Sequence, residues 1–287
     1  MDFRKELEAF EADHPFKEMA VGNLTFHYML CGWEDSPCTL VYFVGGTGNP
    51  AAWYRHVLSM ESKYQVLLLD YPMREDRMKP LTDRIGELLD MLHIEKAVFI
   101  GASFGGYIAQ LMAKYYPQKT RALVLYATTS LTEKGIEDLK KQYRYVGFLL
   151  WLIEHIPYNL LKALMMKPMF RRMIPRDHSE QSEYLKRFVQ WVYDQYNKDT
   201  DLHLTRLMAD IVNLMPVTLQ DYAYLQGNIL LILPENDKAF TEEMQSELVE
   251  LMQGAEVQTM PGDHLATICQ ADEFAERTDA FLKEIRL

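Results

Sequence analysis

The sequence predicts an α/β fold, a doubly wound and mostly parallel sheet carrying an inserted helical cap. Three observations support this. Short apolar runs alternate with segments of helical periodicity up to Tyr126. The same alternation resumes near Ile229. Between them, over 132–216, the strand signal stops and the chain becomes helical, aromatic and rich in Met. Strand–helix alternation is the pattern of parallel sheets with helices on both faces, and the middle block reads as an insertion between two sheet strands.

Each element has its own sequence cue. Met1-Asp2-Phe3-Arg4-Lys5-Glu6-Leu7-Glu8 is charged and helix-prone, without the apolar run of a signal peptide. Glu18 to Val21 and Leu24 to Leu30 read as two strands, with Gly22-Asn23 as the turn between them. Thr39 to Val44 is apolar enough for a strand buried on both faces, and it runs into Gly45-Gly46-Thr47-Gly48-Asn49-Pro50. A helix is expected near Ala51 to Met60, then a buried strand at Gln65 to Leu69 that ends in Asp70-Tyr71-Pro72. Leu81, Ile85, Leu88, Leu89 and Leu92 recur at helical spacing. Ala97 to Ile100 is a strand, Phe104 to Tyr116 a helix, and Ala122 to Tyr126 a strand. Past the insertion come a strand at Ile229 to Leu233, a helix at Thr241 to Met252, a strand at Val257 to Met260 and a last helix from about Asp272 to Ile285. The expected organisation is a core of 1–131 and 217–287, with 132–216 as the cap.

Bulk properties narrow the function. The chain has 287 residues, ample for one large domain with a sizeable core. Acids outnumber bases 41 to 30, a formal charge of −11 that repels phosphate backbones and anionic lipid heads, so nucleic acid and membrane surfaces are poor partners. The longest apolar run, Val146 to Ile153, is too short to span a bilayer. Cys31, Cys38 and Cys269 are odd in number and lack a Cys-x-x-Cys pair, so reduced thiols in a cytoplasmic setting are expected, with no metal cluster.

The chemistry concentrates at strand ends. Gly101-Ala102-Ser103-Phe104-Gly105 follows one expected strand and opens the next helix. This is the G-x-S-x-G turn in the context it requires. Small residues two before and two after the serine let strand and helix approach, and the hydroxyl projects from the bend. The backbone N–H of Phe104 points from a helix N-terminus, where negative charge is favoured. A nucleophilic serine needs a base, and the base an orienting acid. His264 lies in Pro261-Gly262-Asp263-His264, after the last strand, and Asp237 lies just past the strand before it. The competing histidines, His56, His93, His155, His178 and His203, fall in helices or in the insertion, and Glu235 is the nearest rival acid. Gly45-Gly46-Thr47-Gly48 follows the first buried strand, and there the Thr47 N–H is expected to give a second oxyanion donor beside that of Phe104.

A second pattern overlaps this loop. Gly46-Thr47-Gly48-Asn49-Pro50-Ala51, with Asp70 about twenty residues on, fits a dinucleotide fingerprint. It leaves Ser103, Asp237 and His264 without a role. In the insertion, Phe148, Leu149, Trp151, Leu152, Leu164, Met165, Met166, Met169 and Phe170 read mainly as the cap's own core. Gly46, Trp151, Met165 and Met169 are candidates for lining an adaptable apolar pocket. Arg171, Arg172 and Arg176 could hold an anionic substrate but read mainly as a solvated face.

The ordered set of elbow, glycine loop, late acid and late histidine resembles the α/β-hydrolase superfamily from about Gly22 to the end. The resemblance implies a cofactor-independent serine hydrolase acting on a carboxylic ester or related acyl substrate, with a Ser103–His264–Asp237 triad. Many members have His-Gly where this chain has Gly45-Gly46. Within the superfamily, Gly101 to Gln110 together with Tyr71-Pro72 is similar to the maspardin family. That likeness implies a non-catalytic binding or adaptor role, from which this chain departs by having Asp237 and His264. Dehalogenase-like and epoxide-hydrolase-like relatives use an aspartate nucleophile, and Ser103 argues against both.

Overall fold

A computed structural model describes residues 3–168, 174 and 179–287. The fold rests on eight strands: β1 Lys17–Val21, β2 Leu24–Gly32, β3 Thr39–Phe43, β4 Gln65–Leu69, β5 Ala97–Ala102, β6 Thr120–Tyr126, β7 Ile229–Pro234 and β8 Glu256–Met260. They form one sheet in the order β1-β2-β4-β3-β5-β6-β7-β8. β1 and β2 run antiparallel, as a hairpin leading into β4. From β4 to β8 every pairing is parallel.

The apolar runs read from the sequence are the central strands. All five residues of β3 are buried, and β4, β5, β6 and β7 are nearly so, because helices cover both faces. At the sheet's margins β1 and β8 alternate with exposed residues. Helix Tyr54–Met60 packs with helix Ala271–Glu284, and helix Met78–Met91 with helix Phe104–Tyr115.

The strand order determines where a site can form. β3 pairs with both β4 and β5, so the chain leaves β3 to one side and returns on the other. That reversal is a topological switch point, where open α/β sheets bind ligands at the carboxyl ends of strands. The segments leaving β3 and β5 are the Gly45–Gly48 loop and the turn at Ser103.

Helices join β6 to β7, among them Glu133–Gln142, Val146–His155, Tyr158–Leu161, Glu180–Gln195 and Lys198–Asp210. Met169, Phe170, Arg171, Arg172, Arg176 and His178 lie outside the described residues. Helix Lys198–Asp210 is tied to the core. His203 Nδ1 lies 2.9 Å from Asp76, Arg206 pairs with the same carboxylate at 3.2 Å, and Asp210 accepts from the Met78 N–H at 2.8 Å. The opening helix, Phe3–Asp13, clasps both parts. Phe3 packs edge-on against Tyr54 of the core and against Tyr184, Phe188 and Trp191 of helix Glu180–Gln195.

One expectation of the sequence fails here. Helix Val146–His155 is apolar nearly all round, yet Ile153 is its only buried residue. Phe148 and Trp151 are exposed, as are Leu164 and Met165 further on. These four do not form a core of the helices between β6 and β7, whereas Leu149 and Leu152 are partly buried.

His56 gives the fold an acid-sensitive point. It is fully buried among Tyr42, Trp53 and Phe274, with Nε2 2.8 Å from the Thr267 hydroxyl. Burial, then the neighbouring Arg55 charge, push its pKa down to about 3. The folded value lies below the unfolded one, so as pH falls the unfolded chain takes up the proton first. The stability from neutral His56 is whole above about pH 6.5 and is lost progressively toward about pH 3, at up to about 1.4 kcal/mol per pH unit. His56→Gln, which keeps a polar group near Thr267 without the charge, should flatten this limb in urea unfolding between pH 7 and pH 4.5. Equal slopes for variant and wild type would rule out His56 as its source.

Candidate functional site

Ser103 sits at the bend between β5 and helix Phe104–Tyr115 with φ 52° and ψ −122°. Positive φ is unusual for a residue with a Cβ, and surrounding contacts must hold it there. Here the Ser103 N–H donates to the Tyr126 carbonyl at 3.0 Å. The Ser103 carbonyl accepts from the Gly106 N–H and from the Thr128 hydroxyl, both at 2.9 Å. The two small residues flanking the serine leave no room for a side chain. A Cβ on Gly101 would lie 2.3 Å from the Gly105 carbonyl oxygen, and one on Gly105 would lie 2.1 Å from that of Phe43.

The loops carrying Asp237 and His264 are fastened to each other. The Glu235 N–H donates to the Met260 carbonyl at 3.1 Å and the Asn236 N–H to the Gly262 carbonyl at 2.9 Å. From β6, the Tyr126 hydroxyl donates to the Asp263 carbonyl at 2.9 Å. Tyr126 therefore braces both the serine turn and the histidine loop, a role the sequence did not signal.

The three side chains meet in a line. His264 Nε2 is 2.9 Å from Ser103 Oγ, and His264 Nδ1 is 2.9 Å from Asp237 Oδ2 and 3.2 Å from Oδ1. The Asp237 side chain is wholly buried, while that of His264 is 15% exposed. The Ala239 N–H (2.7 Å) and the Phe240 N–H (3.3 Å) donate to Asp237 Oδ1. The Phe240 ring stands edge-on to the imidazole at 5.3 Å between centroids. A carboxylate so held can accept only from the Nδ1 side, which leaves the Nε2 lone pair facing the serine hydroxyl. The arrangement can draw a proton from Ser103 Oγ.

The glycine loop runs against the serine. A Cβ on Gly45 would lie 3.8 Å from Ser103 Cβ. The Gly48 N–H donates to the Gly45 carbonyl at 3.1 Å, closing a turn with Gly46 and Thr47 at its tip. The carbonyls at its base are also held, Phe43 by the Trp53 indole N–H at 3.2 Å and Val44 by the Tyr71 hydroxyl at 2.8 Å. From the segment between β6 and β7, the Tyr196 hydroxyl donates to the Gly46 carbonyl, and Met208 Cε would lie 3.0 Å from a Cβ on Gly46. Neither Tyr196 nor Met208 stood out in the sequence, since an aromatic and a Met in a helical block carry no periodic mark of this contact.

The remaining sequence candidates fall elsewhere. Trp151 and Met165 are about half exposed on the cap, and Met169 is outside the described residues. The dinucleotide pattern lacks its structural context. Pro50–Trp53 is a four-residue 3₁₀ turn, Leu204 of the cap packs onto Gly48, and Asp70 is occupied by the His27 backbone and ring at 2.8 and 2.7 Å. Among the described residues, His14, Cys31 and Glu61 bring three possible metal ligands within 4.8 Å of one another. His14 donates from Nδ1 to the Phe10 carbonyl and meets Glu61 at 2.7 Å. Burial, with Glu61 alongside, pushes the Cys31 thiol up to about 12, so it stays protonated. The trio fastens the end of the opening helix to β2 and is separate from the Ser103 line.

A family model described as the alpha/beta hydrolase fold matches residues 39–154. Human maspardin is 30% identical over 100 residues, 34% of this chain and 32% of maspardin. Human epoxide hydrolase 4 is 29% identical over 176 residues, 53% of this chain and 47% of that protein. The chain thus spans between a third and a half of these relatives' length. Among solved structures, the enol-lactonase from Burkholderia xenovorans LB400 superposes with a TM-score of 0.72 at 18% identity, covering 93% of this chain and all of that one. A thermophilic esterase from Thermogutta terrifontis gives 0.69 at 14% identity, covering 95% and 99%. These likenesses establish the fold.

Proposed function

Since the chain has the α/β-hydrolase fold, we propose that it is a serine hydrolase cleaving a carboxylic ester or related acyl bond, with Ser103 as nucleophile, His264 as base and Asp237 as orienting acid. The observation that supports this best is the continuous line from the buried Asp237 through His264 to Ser103 Oγ, with 2.9 Å at each step. An ester is favoured because two neighbours in fold are named a lactonase and an esterase.

In this reading Ser103 Oγ attacks the carbonyl carbon as its proton passes to His264 Nε2. The carbonyl oxygen gains charge facing the N–H groups of Thr47 and Phe104, the second at a helix N-terminus. The tetrahedral adduct collapses, and the leaving alkoxide takes the proton from His264. The acyl group is now on Ser103. Water, deprotonated by His264, attacks that carbonyl and releases the acid and the free serine. No cofactor enters these steps. The substrate is a small acyl compound held beneath the cap, near the loop that Tyr196 and Met208 cover. The three cysteines are free, which suits a reducing compartment such as the cytoplasm.

A fluorophosphonate probe tests the reading directly. Ser103 Oγ should displace fluoride and retain the phosphonyl group, so labelling is expected in the wild type and absent in Ser103→Ala. Absence of labelling in a folded wild type would leave the cleft a binding role without catalysis. With labelling in hand, hydrolysis of esters of graded chain length would define the acyl group.

A further inference from the structure

We propose that the outer face of the cap docks onto an anionic lipid surface. The inference starts from helix Val146–His155, which is apolar nearly all round but buries only Ile153. Tyr145, Phe148 and Trp151 are 65%, 60% and 49% exposed. Leu160, Leu164 and Met165 continue the exposed apolar surface at 52%, 66% and 45%. The rings are ordered among themselves. Phe148 stacks on Trp151 at 6.1 Å and 11°, and Trp151 on His155 at 5.0 Å and 18°. Scattered exposed apolar residues are ordinary, but several large ones together on consecutive helices mark an interaction surface.

Charge identifies the partner. Across 140–167 there are five bases, Lys140, Lys141, Arg144, Lys162 and Lys167, against one acid, Glu154, in a chain of formal charge −11. Lys140, Arg144 and Lys167 are exposed. Arg144 lies 4.6 Å over the Tyr145 ring, beside the apolar surface. Glu154 is already paired with Arg206 at 3.0 Å. An apolar surface with Trp and Tyr on it, in a stretch whose exposed bases include Lys140, Arg144 and Lys167, has the composition of a helix lying in a bilayer interface beside anionic headgroups. The acidic remainder of the molecule would orient that face toward such a surface. A second copy of the chain fits less well, because a two-fold contact would bring the same excess of bases together from both sides. No helix among the described residues is long and apolar enough to cross a membrane, so the contact is peripheral. It is independent of the hydrolase reading, and its test reads binding rather than turnover.

The full chain would be sedimented with vesicles of phosphatidylcholine and with vesicles that also contain phosphatidylserine. The wild type is expected to bind the anionic vesicles preferentially, less so as salt rises, with a blue shift of tryptophan emission. Phe148→Ser with Trp151→Ser should weaken that binding by about tenfold or more. Lys140→Glu with Arg144→Glu should remove the preference for anionic lipid. All four side chains are exposed, so both variants should keep wild-type circular dichroism. Three results would each overturn the proposal: no binding to either vesicle, binding unchanged in both variants, or a wild-type dimer that the first variant makes monomeric.

Discussion

Replacing Ser103 or His264 by alanine is expected to lower kcat on an activated ester by on the order of 10⁴-fold or more, with the double variant no worse than either single one. The reason is geometric. Oγ is a weak nucleophile unless His264 Nε2, 2.9 Å away, takes its proton, so removing either partner ends the same step. Asp237→Asn should cost somewhat less. Its amide still fills the space, but it accepts less well from His264 Nδ1 and favours the wrong imidazole tautomer. Glu235→Gln should have little effect, because the line runs through Asp237. The measurement is kcat, with circular dichroism to confirm folding. A severe Glu235→Gln beside a mild Asp237→Asn would place the acid two residues earlier, and full activity in Ser103→Ala would end the hydrolase reading.

Gly105→Ala should be among the most damaging single-methyl additions in the chain. The new Cβ would lie 2.1 Å from the Phe43 carbonyl oxygen, 2.7 Å from the Phe43 carbonyl carbon and 2.9 Å from the Val44 carbonyl oxygen. Those atoms are backbone at the end of β3, so no flexible side chain can yield. A loss of about 3 kcal/mol is expected, or a fall in Tm of about 6–12 °C. Gly147→Ala is the control. Nothing lies within 4 Å of its added methyl, and alanine is the better helix former, so stability should hold or rise slightly. Equal melting temperatures for Gly105→Ala and wild type would mean that strand and helix are not packed as described.

These two experiments also mark what the sequence made legible. The elbow could be read because its physics is local: a strand, a tight turn, two absent side chains and a helix occupy consecutive positions. That Asp237 and His264 would meet near Ser103 could be read because parallel strands deliver their C-terminal loops to one edge of the sheet. What could not be read depends on contacts between distant segments. Tyr126 ends an ordinary buried strand, and nothing local shows that its hydroxyl reaches the Asp263 carbonyl. Tyr196 and Met208 meet the glycine loop only through the docking of the cap. Val146 to Ile153 misled for another reason. A helix apolar on every side has no periodic stripe to separate an inner face from an outer one, so burial was the natural reading and exposure is what the structure gives. The sign of the charge along 140–167 was in plain view, but the acidic total masked it.

The clasp made by helix Phe3–Asp13 bears on how the molecule assembles. Phe3 meets Trp191 across nearly two-thirds of the chain, and the Tyr54 hydroxyl, 2.7 Å from that of Tyr184, joins the same cluster to the core. Contacts between such distant positions carry a large loop-closure entropy and form late. During synthesis this helix is made well before helix Glu180–Gln195 and waits, with Phe3, Leu7 and Phe10 uncovered, until that helix follows. A segment made early is thus among the last to be buried, and shielding it over that interval is a burden on the nascent chain that the finished structure no longer reveals.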